Sequence, residues 1–252
     1  EMIDKYGLEA YSDGYHVYTT ISSAMQKTAN IAVERGLATY DERHGYRGPE
    51  LSLPPPEAAD PAPEATPGGE TAEDPLREQW LEQLRQTADI AERLPAIVTR
   101  IDEENSITVL LADGSEAPLP WENGPSEARP YITENRRGPA PENAAALFSP
   151  GDLIRVRWQD EALYLTQVPE AQAALVALNP DNGALLSVVG GLGFAKSKFN
   201  RATQAVRQPG SSFKPFIYSA ALEQGWTAAS IINDAPVVFR DAALEDTWRP
   251  EN

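Results

Sequence analysis

The chain has 252 residues, with 38 Asp and Glu against 21 Lys and Arg, and a formal net charge of −17. That balance argues against nucleic acid, whose binders carry a basic patch, and against docking on an anionic membrane surface. There is no cysteine, hence no disulfide framework and no thiolate chemistry.

An ordinary apolar fraction of 41% allows sizeable cores, in one large domain or two small ones. No stretch is apolar enough to span a bilayer, and no signal peptide opens the chain. Residues 1–14 are polar and uninformative alone. His16 to Ile21 is rich in Tyr, Val and Thr and is expected as a strand. A helix should follow, with Met25, Ala29, Ala32, Val33, Leu37 and Tyr40 on one apolar face. From 51 to 75 the chain is rich in Pro, Ala and Glu and lacks Lys and Arg. Such a composition cannot bury a core, so a disordered or polyproline-like insertion is expected there.

Helical spacing returns between Leu76 and Leu94, through Trp80, Leu81, Leu84, Ala88 and Ala91. The period then shifts. Ile97–Ile101, Ile107–Leu111, Leu153–Trp158 and Leu163–Val168 read as strands, with hairpin signals at Asp113-Gly114 and Gln159-Asp160-Glu161. Several short strands in so little chain suggest a small β-barrel of OB type spanning 76–169. The stretch from Glu122 to Pro150 is expected as a loop, with a short helix at Glu142–Leu147. The barrel lacks a basic, aromatic-studded groove, so a protein-docking role fits it better than nucleic acid. Arg155 and Arg157 alternate along one strand and read as solvated.

Leu175–Leu178 and Leu185–Val189 flank NPDNG, a hairpin pattern that Gly190-Gly191 ends. His16 and His44 have no carboxylate or cysteine at ligand spacing and read as structural. Glu103 and Glu104 sit in a turn and read as solvated. No metal or cofactor site is expected, and there is no P-loop or dinucleotide fingerprint.

The stretch with chemistry in it is RQPGSSFKPF, Arg207 to Phe216. A bare S-x-x-K is expected about once by chance in a chain this long, and its ordinary meaning is a capping serine with a solvated lysine. The flanks change that reading. Gly210 leaves room for close approach to the Ser211 backbone, and Pro215 is tolerated only in a helix's first turn. Phe213, Phe216, Ile217, Ala220 and Ala221 then give a thick apolar set, so the helix is expected to be buried. On such a helix Ser211 and Lys214 share a face. A serine needs a base to become a nucleophile, and a lysine serves if burial leaves it neutral. Ser211 and Lys214 are therefore the candidate catalytic residues. Ser212 is only two residues from the lysine and is not the nucleophile.

FNRATQAVRQPGSSFKPFIYSAAL resembles the active-site helix of class A penicillin-binding proteins, the bifunctional peptidoglycan synthases, in the 1A type of Gram-negative bacteria. ALVALNPDNGALLSVVGG resembles the hairpin before that helix. GYHVYTTISSAMQKTANIAV and YDERHGYRGPE resemble the segment that joins the two catalytic domains. The resemblance implies an α+β, multi-domain chain. Residues 1–50 would be a linker strand and helix, 51–75 an insertion, 76–169 a helix plus OB-like barrel, and 170–252 the N-terminal part of a transpeptidase domain. It implies that the hairpin sheets with His16–Ile21.

The same resemblance implies a serine D,D-transpeptidase that cross-links stem peptides and is acylated by β-lactams. The longer parent would also have glycosyltransferase activity, face the periplasm and be anchored upstream by a transmembrane helix. The family's other two motifs, S-x-N and K-T-G, do not occur in this sequence. The piece alone is therefore expected to be nearly inactive, with its last 80 or so residues poorly ordered. From another functional class comes a second expectation: a non-catalytic module that docks an outer-membrane lipoprotein activator.

Overall fold

The computed structural model describes residues 2–54, 75–103 and 105–233, and the backbone of 239–240 and 247–248. The expected insertion therefore lies outside the described residues except at its margins, as does Glu104. The chain divides into two compact units, 1–205 and 206–252.

The first unit contains helix α1 (Met2–Tyr6), helix α2 (Ser23–His44), strand β1 (Leu51–Ser52), helix α3 (Pro75–Gln86) and strands β2 (Leu94–Ile101), β3 (Ile107–Leu111) and β4 (Glu116–Leu119). It continues with β5 (Tyr131–Thr133), β6 (Arg136–Arg137), β7 (Asp152–Gln159), β8 (Ala162–Thr166), β9 (Leu175–Leu178) and β10 (Leu185–Val189). The main sheet runs β1-β7-β2-β3-β4, with β8 also on β7, and its pairings are antiparallel.

Period-2 alternation gives this sheet two cores. Ala96, Val98, Val109, Ile154 and Val156 point to one face and pack with Leu119, Phe148 and Leu163. Their neighbours Ile97, Leu110 and Leu153 point to the other, where Trp80, Leu81 and Leu84 of α3 cover them. Both faces are covered, which is why these strands read as near-continuous apolar runs. Helix α3 ends at Gln86, earlier than its spacing predicts, and Ala91 and Glu92 take positive φ in the connection to β2.

The expected barrel is an open OB-like sheet. No ladder joins β4 to β8 among the described residues. Pro118 and Pro120 withdraw N–H donors where β4 would have to close it. Asn123 spans the seam instead: its carbonyl accepts from the Leu165 N–H at 2.9 Å, and its Nδ2 donates to the Leu163 carbonyl at 2.9 Å. Strand β4 was missed in the sequence because its buried Ala117 and Leu119 alternate with Glu116 and Pro118 over only four residues. Leu51–Ser52, expected to open the insertion, pair instead with Leu153 and Asp152 of β7.

Helix α2 begins at Ser22, whose hydroxyl accepts from the Met25 N–H at 3.4 Å. It ends at Gly45, where φ is 105° and a Cβ would stand 2.7 Å from the Arg129 carbonyl oxygen. Its buried stripe is Ala29, Val33, Leu37 and Asp41, narrower than the expected face, since Met25 and Tyr40 are exposed. This stripe packs on Val189 and Leu192. The edge of β10 is taken by the start of α2. Gln26 bonds both the N–H and the carbonyl of Val188 at 2.9 Å, the Ser22 N–H reaches the Leu186 carbonyl at 2.9 Å, and Thr20 Oγ1 the Leu185 carbonyl at 2.6 Å. That occupancy explains why His16–Ile21 is not a strand: β9–β10 is a two-stranded sheet, and Val17 and Tyr18 stay exposed.

A set of buried charges joins α2 and its exit segment to the sheet. Arg155, expected to be solvated, is 4% exposed. It donates to both Glu50 carboxylate oxygens, at 3.0 and 2.9 Å, and to the Ala88 and Arg93 carbonyls. Arg93 bonds Glu34 at 3.0 Å and the Gln167 and Ala91 carbonyls. Arg47 stands 2.7 Å from buried Asp41. Contact with Asp41 holds the Arg47 guanidinium above its usual range, against burial, which lowers it. Burial, then the negative charge of Asp152 and Glu50, pushes the Tyr46 hydroxyl above the ordinary tyrosine range.

The second unit holds a 3₁₀ turn at Gly210–Phe213, helix α4 (Lys214–Glu223) and the paired strands β11 (Phe239–Arg240) and β12 (Thr247–Trp248). None of the residues of α4 is buried.

Candidate functional site

Ser211 and Lys214 lie at the join between the 3₁₀ turn and α4. Three elements of the sequence fix this geometry. Gly210 takes φ of 50°, Pro209 accepts the Ser212 N–H at 3.0 Å, and the Lys214 N–H closes back on the Ser211 carbonyl. Pro215 then occupies the first turn of α4, where its missing N–H costs nothing. In a 3₁₀ turn, side chains at i and i+3 eclipse. The serine and lysine are thus set on one edge by local backbone alone. Helix α4 stops at Gln224, whose N–H bonds the Ala220 carbonyl, and Gly225 follows with φ of 87°.

The surroundings differ from the expected burial. Phe213 is 54% exposed, Phe216 68% and Ile217 54%. The Phe213 and Phe216 rings stand 5.6 Å apart and pack on each other. Among the described residues, neither the Ser211 hydroxyl nor the Lys214 ammonium has a hydrogen bond or ion pair with another side chain. The arrangement sets a serine and a lysine in register at the start of α4, without apolar cover.

The other sequence candidates stay apart from chemistry. His44 donates from Nδ1 to the Tyr40 carbonyl and packs its ring at a tilt on Tyr40, with Glu134 at 3.7 Å. No group of His, Asp and Glu suited to a metal ion occurs among the described residues. Upstream of the site, Asn200 organises a turn. Its carboxamide oxygen accepts from the Ala202 N–H at 3.0 Å, and its own N–H bonds Gln204 Oε1 at 2.6 Å. The Arg201 N–H pins this turn to the Gly190 carbonyl at 3.0 Å. Sequence reading did not single out this knot, although Asn and Gly are turn-forming residues.

Residues 46–171 match the family described as the penicillin-binding protein OB-like domain, and residues 173–251 match the penicillin-binding protein transpeptidase domain. Penicillin-binding protein 1A of Pseudomonas aeruginosa is 47% identical over 253 residues, and that of Escherichia coli K12 is 42% identical over 252 residues. Each similarity covers the whole of this chain and 28% of the relative, so the chain spans about 28% of the length of these relatives. A crystal structure of penicillin-binding protein 1A from Haemophilus influenzae superimposes with a TM-score of 0.74 at 35% identity, covering 100% of this chain and 33% of that one.

Proposed function

The chain belongs to the penicillin-binding proteins that carry an OB-like domain, and from that premise we propose that it is part of a bifunctional peptidoglycan synthase in which Ser211 is the acylated nucleophile of the transpeptidase. One observation carries the assignment: the Gly210–Phe213 turn sets Ser211 and Lys214 on one edge, within the residues that match a transpeptidase domain.

In the proposed reaction, neutral Lys214 accepts the Ser211 hydroxyl proton as Oγ attacks the carbonyl between two D-alanines of a stem peptide. The C–N bond breaks, the terminal D-alanine departs with a proton on its nitrogen, and an ester remains on Ser211. An amine of a neighbouring stem then attacks that ester. The new amide is the cross-link, and Oγ regains its proton. A β-lactam follows the first half of this sequence, its ring C–N bond opening to leave a slow ester. Nothing in the scheme calls for a metal or cofactor. The substrate-orienting S-x-N and K-T-G groups are not in this sequence. Loss of one oxyanion donor alone costs roughly a hundred- to a thousandfold in rate, so acylation is expected in a longer protein containing this segment and to be nearly absent in the 252-residue chain. The longer protein would also hold a glycosyltransferase, be anchored upstream and work on the periplasmic face.

The packing of the OB-like sheet supports a second role, a rigid module that docks a protein partner, for which an outer-membrane lipoprotein activator is the proposed occupant. The test of the catalytic role is labelling of the longer protein with a fluorescent penicillin, followed by peptide mass spectrometry. An ester on Ser211 that is lost in Ser211→Ala is the expected result. A folded longer protein that takes no label at Ser211 would refute it.

A further inference from the structure

A cleft of about 500 Å³ opens in the first unit between the C-terminal turns of α2 and strand β8. Three arginines line it: Arg43 from α2, Arg137 from β6 and Arg157 from β7. The chain is acidic overall, with 38 Asp and Glu for 21 Lys and Arg. Yet among the described residues none of these three forms an ion pair. Glu42 and Glu127 line the same cleft without pairing with them. Arg137 donates from one Nη to the Glu42 carbonyl at 3.2 Å, which anchors it and leaves its other donors free. The Nε of Arg157 is buried with no partner, and Tyr164 stands opposite Arg157 in the β7–β8 register.

An unpaired guanidinium offers a planar fork that fits a carboxylate through two parallel N–H bonds. Three of them around one cleft, with Tyr164 and Leu165 beside them, present cationic and apolar surface together. The chain's overall negative charge does not cancel this. At physiological ionic strength fields fade over about 8 Å, so an incoming group inside the cleft meets Arg43, Arg137 and Arg157 set against Glu42 and Glu127 rather than the charge of the whole chain.

We propose that this cleft is a docking site for an acidic segment of a partner protein, whose Asp or Glu carboxylates pair with Arg43, Arg137 and Arg157. The proposal gives the docking role of the OB-like module a surface and a partner chemistry, and it rests on that role. It is independent of Ser211.

The probe is a fluorescein-labelled peptide of alternating Glu and Gly, beside a Gln-for-Glu counterpart, titrated against the chain by anisotropy. Saturable binding of the Glu peptide alone is expected, weakening as salt rises. The Arg43→Gln/Arg137→Gln variant is expected to bind about tenfold more weakly. Both side chains are exposed, and a circular-dichroism melt checks that the variant folds. Arg77→Gln, which removes a surface pair with Glu116 elsewhere, is expected to bind like the parent. Equal binding of the Gln peptide, an unweakened arginine variant, or no saturation by about 1 mM would overturn the proposal. Displacement of the peptide by citrate at equal carboxylate concentration would make this a small-anion site and overturn it as well. Docking by the module as a whole is read separately, by pulling a protein partner from envelope extract with the parent and the arginine variant. Equal capture by both sinks the cleft and keeps the docking role, whereas no capture by either sinks the role.

Discussion

The OB-like sheet and helix α4 draw on the same kind of residue and come to opposite ends. Ile97, Leu110 and Leu153 stand on one face of the sheet and are covered by Trp80, Leu81 and Leu84. Phe213, Phe216 and Ile217 are as apolar, yet each is more than half exposed. The contrast teaches that apolar periodicity specifies a face and leaves open what covers it. For the sheet, the cover is α3, a short way along the same chain. For α4, the catalytic reading makes cover a requirement, since a lysine becomes a base only where burial disfavours its charge.

Substitutions sharpen that contrast. The largest effect is expected in the sheet: Leu110→Ala deletes a fully buried side chain and should cost roughly 3 kcal/mol in urea unfolding. Arg155→Ala comes next. It leaves the Ala88 and Arg93 carbonyls without their donor and half-exposed Glu50 without its partner, for about 2 kcal/mol. Phe216→Ala, a larger truncation of an exposed ring, should move stability by no more than about 0.5 kcal/mol. A Phe216 cost as large as that of Leu110 would erase the distinction between the two regions.

The smallest effect is a pH dependence in the turn after β3. Ser115 donates its hydroxyl and its N–H to Asp113, at 2.6 and 2.9 Å, and these bonds hold the carboxyl below its ordinary range. A depressed carboxylate stabilises the fold above its unfolded pKa, and that contribution is lost as pH falls through the folded value. Thermal melts from about pH 6 down to about pH 2 should therefore fall less steeply in Asp113→Asn than in the parent. Identical slopes would remove the turn from the acid response.

What the sequence made legible was local or periodic. Strands β2, β3, β7 and β8, the hairpin β9–β10 and the spacing of Ser211 and Lys214 depend on residues a few positions apart. Arg155 was misread because its partner Glu50 lies 105 positions away, and alternation along a strand carries no information about it. The open seam at Asn123 depends on Pro118 in β4, Pro120 just after it and a side chain that reaches β8. His16–Ile21 has the composition of a strand, but Gln26 occupies the edge it would need. The arginine-lined cleft gathers Arg43, Arg137 and Arg157 from three distant segments, and only the fold brings them together.

Amide hydrogen exchange on the 252-residue chain tests the contrast between the two regions most directly. The account predicts that amides of Ile97, Val109 and Leu110 exchange only by global unfolding, while those of Ile217 to Leu222 exchange orders of magnitude faster. Protection in α4 equal to that of β2 and β3 would contradict it, because a helix without buried residues would then be as stable as a two-sided core.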